Sequence, residues 1–273
     1  MARKLRLGSQ SRTQIKKDLA EMMSILKATA AFAGFGLACM FAADGARAAN
    51  LVTNGSFETN AGSGQLGLNT SATGWSTTGY NFLFSPGSAD TTGANGTYGN
   101  LSLWGPGNGS ANGMPATSPD GGFFVAADGA FNVGAITQTI TGLKAGAAYS
   151  VSFYWAGAQQ NGFDGANTEQ WQVSLGSDTQ STAVFDNSSH GFSGWMFQTF
   201  TFTADSTSDV LSFLAVGTPG GVPPFSLLDG VSLNAVPEPA SMALLGAGLA
   251  GLGGVVRLRR AKRSSAAAAD SKN

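Results

Sequence analysis

The sequence predicts an all-β fold for residues 49–235, an antiparallel sandwich of two packed sheets. Several stretches alternate apolar with polar residues at period two, and none sustains the period of an amphipathic helix. Short strand-like runs are separated by Gly, Asn, Asp and Ser, which reach the backbone conformations of tight turns at little cost. Glycine supplies 39 of the 273 residues, about twice its usual share, as a fold with many turns requires.

Taken in order, strands are expected at 50–53, 80–84, 100–104, 121–127 and 135–141. In Tyr149–Ala156, the side chains of Tyr149, Val151, Phe153 and Trp155 fall on one face. Trp171, Val173 and Leu175 alternate with Gln170, Gln172 and Ser174; 181–185 follows as a further strand. Phe200 and Phe202 then alternate with Thr199, Thr201 and Thr203, and strands at 209–216 and 225–234 close the series. Residues 85–120 stand apart. They are rich in Gly, Asn, Ser and Pro and read as a long surface loop interrupted by one strand around Leu101–Trp104. Asn-Gly pairs recur without a fixed period, so they mark turns rather than repeats. A segment of this length buries a core without disulfides. The single cysteine, Cys39, lies outside it, which excludes a disulfide framework and a cysteine zinc site.

The net charge of −1 hides three compartments. Residues 1–48 hold eight of the fifteen Lys and Arg, and 257–272 hold six. Residues 49–236 contain one, Lys144, against eleven acids, a formal charge of −10. A phosphate backbone needs cations to displace its counterions, so this segment binds no nucleic acid.

The two ends read as addresses. Seven Lys and Arg precede the apolar run Ala28–Ala43, and Ala46-Arg47-Ala48 offers small residues for cleavage before Ala49. Residues 1–48 are therefore expected to be a signal peptide with a helical apolar stretch, with Met22 or Met23 as alternative starts. At the other end, Val236-Pro237-Glu238-Pro239 leads into the uncharged run Ala240–Val256, expected to be a transmembrane helix. Arg257, Arg259, Arg260, Lys262 and Arg263 follow and stop transfer on the cytoplasmic side, leaving the domain outside. Residues 264–273 are expected to be a disordered tail.

Pro237, Glu238 and Pro239, one hydrophobic segment and an Arg-rich end together resemble the PEP-CTERM sorting signal of Gram-negative bacteria, over residues 236–263. The resemblance implies signal peptidase and exosortase as processing partners, transient inner-membrane anchoring, and removal of the tail near Pro237–Pro239. It also implies a final place at the cell surface or in an exopolysaccharide or biofilm matrix.

A second resemblance lies within the domain. Asn50-Leu51-Val52-Thr53-Asn54-Gly55-Ser56-Phe57-Glu58, Gly74-Trp75, the Gly142–Phe153 stretch and Leu227-Leu228-Asp229-Gly230-Val231-Ser232-Leu233 are similar to galactose-binding-like jelly-roll domains of carbohydrate-binding modules. The resemblance implies a jelly roll whose first and last strands lie together. It also implies a structural calcium held by Glu58 and Asp229, whose hard oxygen ligands suit that ion.

Catalysis finds little support in the residues. His190, the single histidine, lies in the loop-like Asp186-Asn187-Ser188-Ser189-His190-Gly191, and no Gly-x-Ser-x-Gly elbow accompanies it. Zinc needs more ligands than this, and no glycine-rich stretch is followed by the Lys-Ser/Thr of a phosphate loop. Glu58, Asp128, Asp164 and Glu169 keep one alternative open, a secreted polysaccharide-acting enzyme. That enzyme would show two carboxyl groups about 5–9 Å apart in a cleft. Aromatic residues are the better lead, because sugar faces stack on exposed flat rings. Trp75, Tyr80, Trp104, Tyr154, Trp155, Trp171 and Trp195 are the candidates. Trp155 and Trp171 share faces with core residues, whereas Tyr154 points away from Trp155 and Trp104 adjoins Gly105-Pro106-Gly107. Trp104 and Tyr154 are thus the expected stacking residues of a non-catalytic matrix protein that contributes structure or binds extracellular polysaccharide.

Overall fold

A computed structural model describes residues 49–237 and Gly248. The chain divides after Arg47, and the description concerns the second unit. The expected signal peptide, Glu238 and Pro239, the hydrophobic helix apart from Gly248, the basic cluster Arg257–Arg263 and the tail lie outside the described residues. Among the described residues, no helix is long and apolar enough to cross a membrane.

The domain is an antiparallel β-sandwich. Its strands are β1 (Gly64–Gln65), β2 (Asn81–Phe84), β3 (Ala94–Gly96), β4 (Gly99–Leu101), β5 (Phe124–Asp128), β6 (Ile136–Thr141), β7 (Ala148–Gln159), β8 (Asn167–Leu175), β9 (Asp178–Ser181), β10 (Phe185–Asn187), β11 (Met196–Thr203), β12 (Ser208–Thr218) and β13 (Pro224–Ala235). Between residues 49 and 237 the only helical piece is a 3-10 turn, Pro106–Asn108. One sheet has the order β1-β2-β5-β13-β7-β11, the other β10-β8-β12-β6 with β9 also paired to β8. β3 and β4 form a separate hairpin. Consecutive strands alternate between the sheets from β5 to β8 and again from β11 to β13, the crossing pattern of a jelly roll.

The alternating residues read from the sequence fill the space between the sheets. Tyr149, Val151, Phe153 and Trp155 of β7 meet Trp171, Val173 and Leu175 of β8 and Leu211 and Phe213 of β12 in one core. Phe213 stands edge-on to Phe153 at 5.1 Å and to Trp171 at 5.9 Å, a favoured aromatic arrangement. The buried indole of Trp171 donates to the carbonyl of Leu227 at 2.9 Å, so no donor is stranded.

Residues 85–120 depart from the expected surface loop. Much of the segment lies on the outer face of the six-stranded sheet and closes a second core. Ala89, Leu101, Leu103 and Met114 cover Phe82, Phe84, Phe124, Ala126, Phe225 and Leu227. That cover explains why β2 is buried at every position rather than at alternate ones.

Several strand expectations also change. The expected 100–104 strand shortens to β4, Gly99–Leu101. Residues 50–53 form no strand, but they still run beside β13, where the Leu51 N–H donates to the Leu233 carbonyl and the Asn50 Oδ1 accepts from the Leu233 N–H. A side chain thus replaces one rung of the ladder. The 181–185 run is interrupted, with β9 and β10 pairing different parts of β8. β1 and β3 are two- and three-residue pieces containing glycine, too short for any periodicity to register.

Candidate functional site

A cavity lined by several aromatic rings and an acid lies at one end of the six-stranded sheet. There β5 ends at Asp128 and β7 at Gln159, while β2 begins just after Tyr80 and β13 just after Pro223. Loops leaving these ends enclose about 300 Å³, at the lower end for a ligand pocket. Tyr98 comes from the β3–β4 turn, Phe131 from the β5–β6 loop and Phe163 from the β7–β8 loop; Tyr80, Asp128, Gln160, Gly220 and Pro223 complete the lining.

Local chemistry fixes these rings. Tyr80 stands edge-on to Phe82 at 4.6 Å and to Phe131 at 5.5 Å, with Tyr98 5.8 Å away. Its N–H donates to the Asn132 carbonyl. The two loops approach so closely at Gly79 and Gly134 that a Cβ on either would lie within 2.6 Å of the other's backbone nitrogen. Asp128 shapes the turn carrying Phe131: its Oδ1 accepts the N–H groups of Ala130 at 2.8 Å and Phe131 at 2.9 Å. Its Oδ2 is buried without a hydrogen-bond partner. Burial pushes the Asp128 carboxyl from its ordinary 3.8 up to about 6, against the pull of those two N–H groups. Burial and the nearby Asp128 charge raise Tyr80, so its phenol stays protonated. Tyr80 is buried, whereas Tyr98, Phe131 and Phe163 remain 65%, 42% and 38% exposed.

Trp104 has a different place from the one expected. Its ring stacks on His190 with centroids 3.9 Å apart, so one face is already covered. Its indole N–H donates to the carbonyl of Phe163 at 2.9 Å, which makes it a support for a pocket loop. His190 in turn is held firmly. Its Nε2 lies 2.6 Å from the Asp164 carboxylate, its N–H donates to the Gln159 Oε1, and its carbonyl accepts from Ser110 and Asn112. Tyr154 lies in the middle of β7, half-buried, 5.1 Å from the exposed ring of Phe197 and outside the pocket lining.

Glu58 and Asp229 occupy a second acidic region. Glu58 is exposed and accepts the Phe123 N–H at 2.6 Å. Asp229 is fully buried; Ser118 donates to its Oδ2, and its Oδ1 has no partner. Burial pushes its carboxyl from 3.8 up to about 8, and the charges of Asp120 and Glu58 add to the rise. These are hard oxygen donors, which fit calcium in kind. Among the described residues, however, no three acidic, His or Cys side chains gather as a metal cluster.

The four carboxylates considered for hydrolysis each have different partners. Glu169 lies buried against Asn187, Asp164 pairs with His190, and Glu58 bonds the backbone of Phe123. Asp128 is the one acid lining the aromatic cavity.

Tyr98, Phe131 and Phe163 were not among the aromatic candidates of the sequence. Each nevertheless carries a legible signal: a large ring inside a turn, as Gly96-Thr97-Tyr98-Gly99, Gly129-Ala130-Phe131-Asn132 and Asn161-Gly162-Phe163-Asp164. A ring in such a turn has no strand face to bury it.

Fold and cavity together define a β-sandwich domain with an aromatic pocket built by loops at one sheet end. Residues 235–260 match the PEP-CTERM protein-sorting motif, so this is an exported protein with a C-terminal sorting tail. Residues 98–221 match a family described as a protein of unknown function, DUF642. Halomucin of Haloquadratum walsbyi is 28% identical over 204 residues, which is 71% of this chain but 2% of halomucin. The chain therefore spans a small fraction of that relative's length. Similar solved structures include TmCBM61 in complex with β-1,4-galactotriose, at 17% identity and a TM-score of 0.35, covering 69% of this chain and 99% of that one. The CBM22-1 xylan-binding domain of Paenibacillus barcinonensis Xyn10C is 13% identical with a TM-score of 0.36, covering 70% and 97%. The K1 cleaved adhesin domain of Porphyromonas gingivalis Lys-gingipain is 12% identical with a TM-score of 0.37, covering 67% and 96%.

Proposed function

We propose that this exported domain is a non-catalytic glycan-binding module that works in the extracellular polysaccharide matrix. The observation that carries the reading is the convergence of three exposed rings, Tyr98, Phe131 and Phe163, from three separate loops onto one cavity that also holds Asp128 and Gln160. Rings offer flat faces to sugar C–H groups, and the two polar side chains supply hydrogen bonds to hydroxyls. A single acid in the cavity supports a binding role over glycoside hydrolysis, which uses two. His190 is not among the residues that line the cavity.

In this reading, signal peptidase cleaves before Ala49 and the segment 240–256 holds the chain transiently in the inner membrane. Exosortase then acts near Pro237–Pro239 and delivers the domain to the cell surface or matrix. A glycan array followed by titration calorimetry on the exported protein tests the binding. Tyr98→Ala and Phe131→Ala should each weaken it by ~1–3 kcal/mol, the scale of ring stacking on nucleobases. Wild-type affinity in both variants, or no binding to any glycan, overturns the reading.

Calcium belongs to the proposal as a structural ion beside Asp229, with Glu58 as a second ligand. It should raise the melting temperature by binding the native state preferentially. Glu58→Gln with Asp229→Asn should abolish that rise; a wild-type protein that melts identically with calcium and with chelator has no such site.

A further inference from the structure

We propose that the glycan this pocket selects carries free, protonated amino groups, with the ammonium drawn toward Asp128 among the rings of Tyr98, Phe131 and Phe163. The inference rests on the glycan-binding reading and adds the chemical class of the sugar.

Three independent observations lead to it. First, Asp128 is 1% exposed and lines the cavity, and its Oδ2 is buried with no partner. A buried carboxylate oxygen without a donor is costly, and a cationic donor relieves it more fully than a neutral hydroxyl because it also compensates the charge. Oδ1 is already satisfied by Ala130 and Phe131, so the deficit is confined to one oxygen.

Second, the ring wall suits a cation as well as a sugar face. An ammonium over an aromatic ring is attracted by the ring's quadrupole, more so where water is excluded. No Lys, Arg or His lines the cavity to compete for that place. The other titratable groups facing Asp128 are the phenols Tyr80 and Tyr98, and burial and the Asp128 charge raise Tyr80 above its ordinary value.

Third, the whole domain is a polyanion, with eleven acids and one basic residue between 49 and 236. Its field repels acidic polysaccharides, is indifferent to neutral ones and concentrates cationic ones near the surface. Long-range attraction and a short-range acceptor thus favour the same ligand. Burial pushes the Asp128 carboxyl up to about 6, and a bound ammonium would pull it back down and hold it charged to lower pH.

The test compares three β-1,4-linked pentasaccharides by calorimetry on the exported protein at pH 7: of glucosamine, of N-acetylglucosamine and of glucose. The amine should bind about tenfold or more tightly than either neutral oligomer, and its advantage should shrink as salt is added. Acetylation removes the charge from the ligand and leaves the protein unaltered, so the comparison does not depend on any variant folding. Asp128→Asn should bring the glucosamine oligomer down to the affinity of the neutral ones, whereas Asp186→Asn, an exposed acid elsewhere, should leave it unchanged. Equal binding of all three oligomers overturns the inference and keeps the glycan-binding reading. An amine preference that survives in Asp128→Asn assigns it to the general surface charge and overturns the site. If no oligomer of any kind binds, the glycan-binding reading itself falls.

Discussion

At the scale of single residues, the most consequential side chains are acids placed where water cannot reach them. Glu169 lies buried with Asn187 donating to Oε1 at 3.2 Å, while Oε2 is unpartnered against Gly157, where a Cβ would sit 2.7 Å away. Burial lifts it from its ordinary 4.5 to about 8. Asp229 is lifted to about 8 by the same cause. An unfolded chain gives up these protons near pH 4, whereas the native protein, with calcium chelated, keeps them until near pH 8. The native state therefore binds more protons across that window, and its stability falls as pH rises through it. The melting temperature should be higher at pH 5 than at pH 8.5, and Glu169→Gln should flatten the slope. A slope identical to wild type in that variant would mean that Glu169 does not hold its proton. None of this was legible in the sequence. Glu169 precedes Gln170 and Trp171 in a strand whose alternation puts it on the inner face with Trp171, but its protonation depends on Gly157 and Asn187 from other strands. Trp104 shows the same limit. Its neighbouring glycines suggest an exposed ring, and only tertiary contacts, the stack on His190 and the N–H donated to Phe163, turn it into a support.

Strands long enough to alternate are readable as such. β7, β8, β11, β12 and β13 carry period-two patterns because one face of each meets the inter-sheet core. The segment between β2 and β5 reads as a surface loop for a physical reason: its glycines and asparagines signal turns correctly, yet the apolar residues among them are sparse. Ala89, Leu101, Leu103 and Met114 are spread over 26 positions. Together they cover a sheet face, and no periodicity announces that. Leu103 is fully buried in this layer, so Leu103→Ala should cost about 2–5 kcal/mol. Chemical denaturation measures the cost. A loss below about 0.5 kcal/mol would place the segment at the surface. The same variant should loosen the pocket, because Leu103 bridges to Gln160 and precedes Trp104.

On the scale of the whole molecule, the two ends of the domain meet at β13. This strand lies between β5 and β7 in the six-stranded sheet, and the segment around Leu51 bonds to it from the N-terminal side. Its last residues run straight into the sorting motif. Leu233 is fully buried and pairs with Val151, Ala235 pairs with Tyr149, and the Val236 N–H still donates to the Ala148 carbonyl at 2.9 Å. Pro237 is the first residue past this ladder and is exposed. Having no N–H, it ends the pairing. The described ladder thus runs to Val236, immediately before the Pro-Glu-Pro of the sorting motif. We expect a chain ending at Pro237 to melt at the same temperature as one ending a few residues later. A chain ending at Ser232 should lose several degrees, because it gives up the buried Leu233 and the last rungs of a central strand. In the native host, deleting Pro237, Glu238 and Pro239 should leave the domain folded and exported but retained at the membrane at unprocessed mass. A deletion product released at the mass of the wild type would show that processing does not use the motif, and equal melting of the chain ending at Ser232 would show that the end of β13 does not secure the fold.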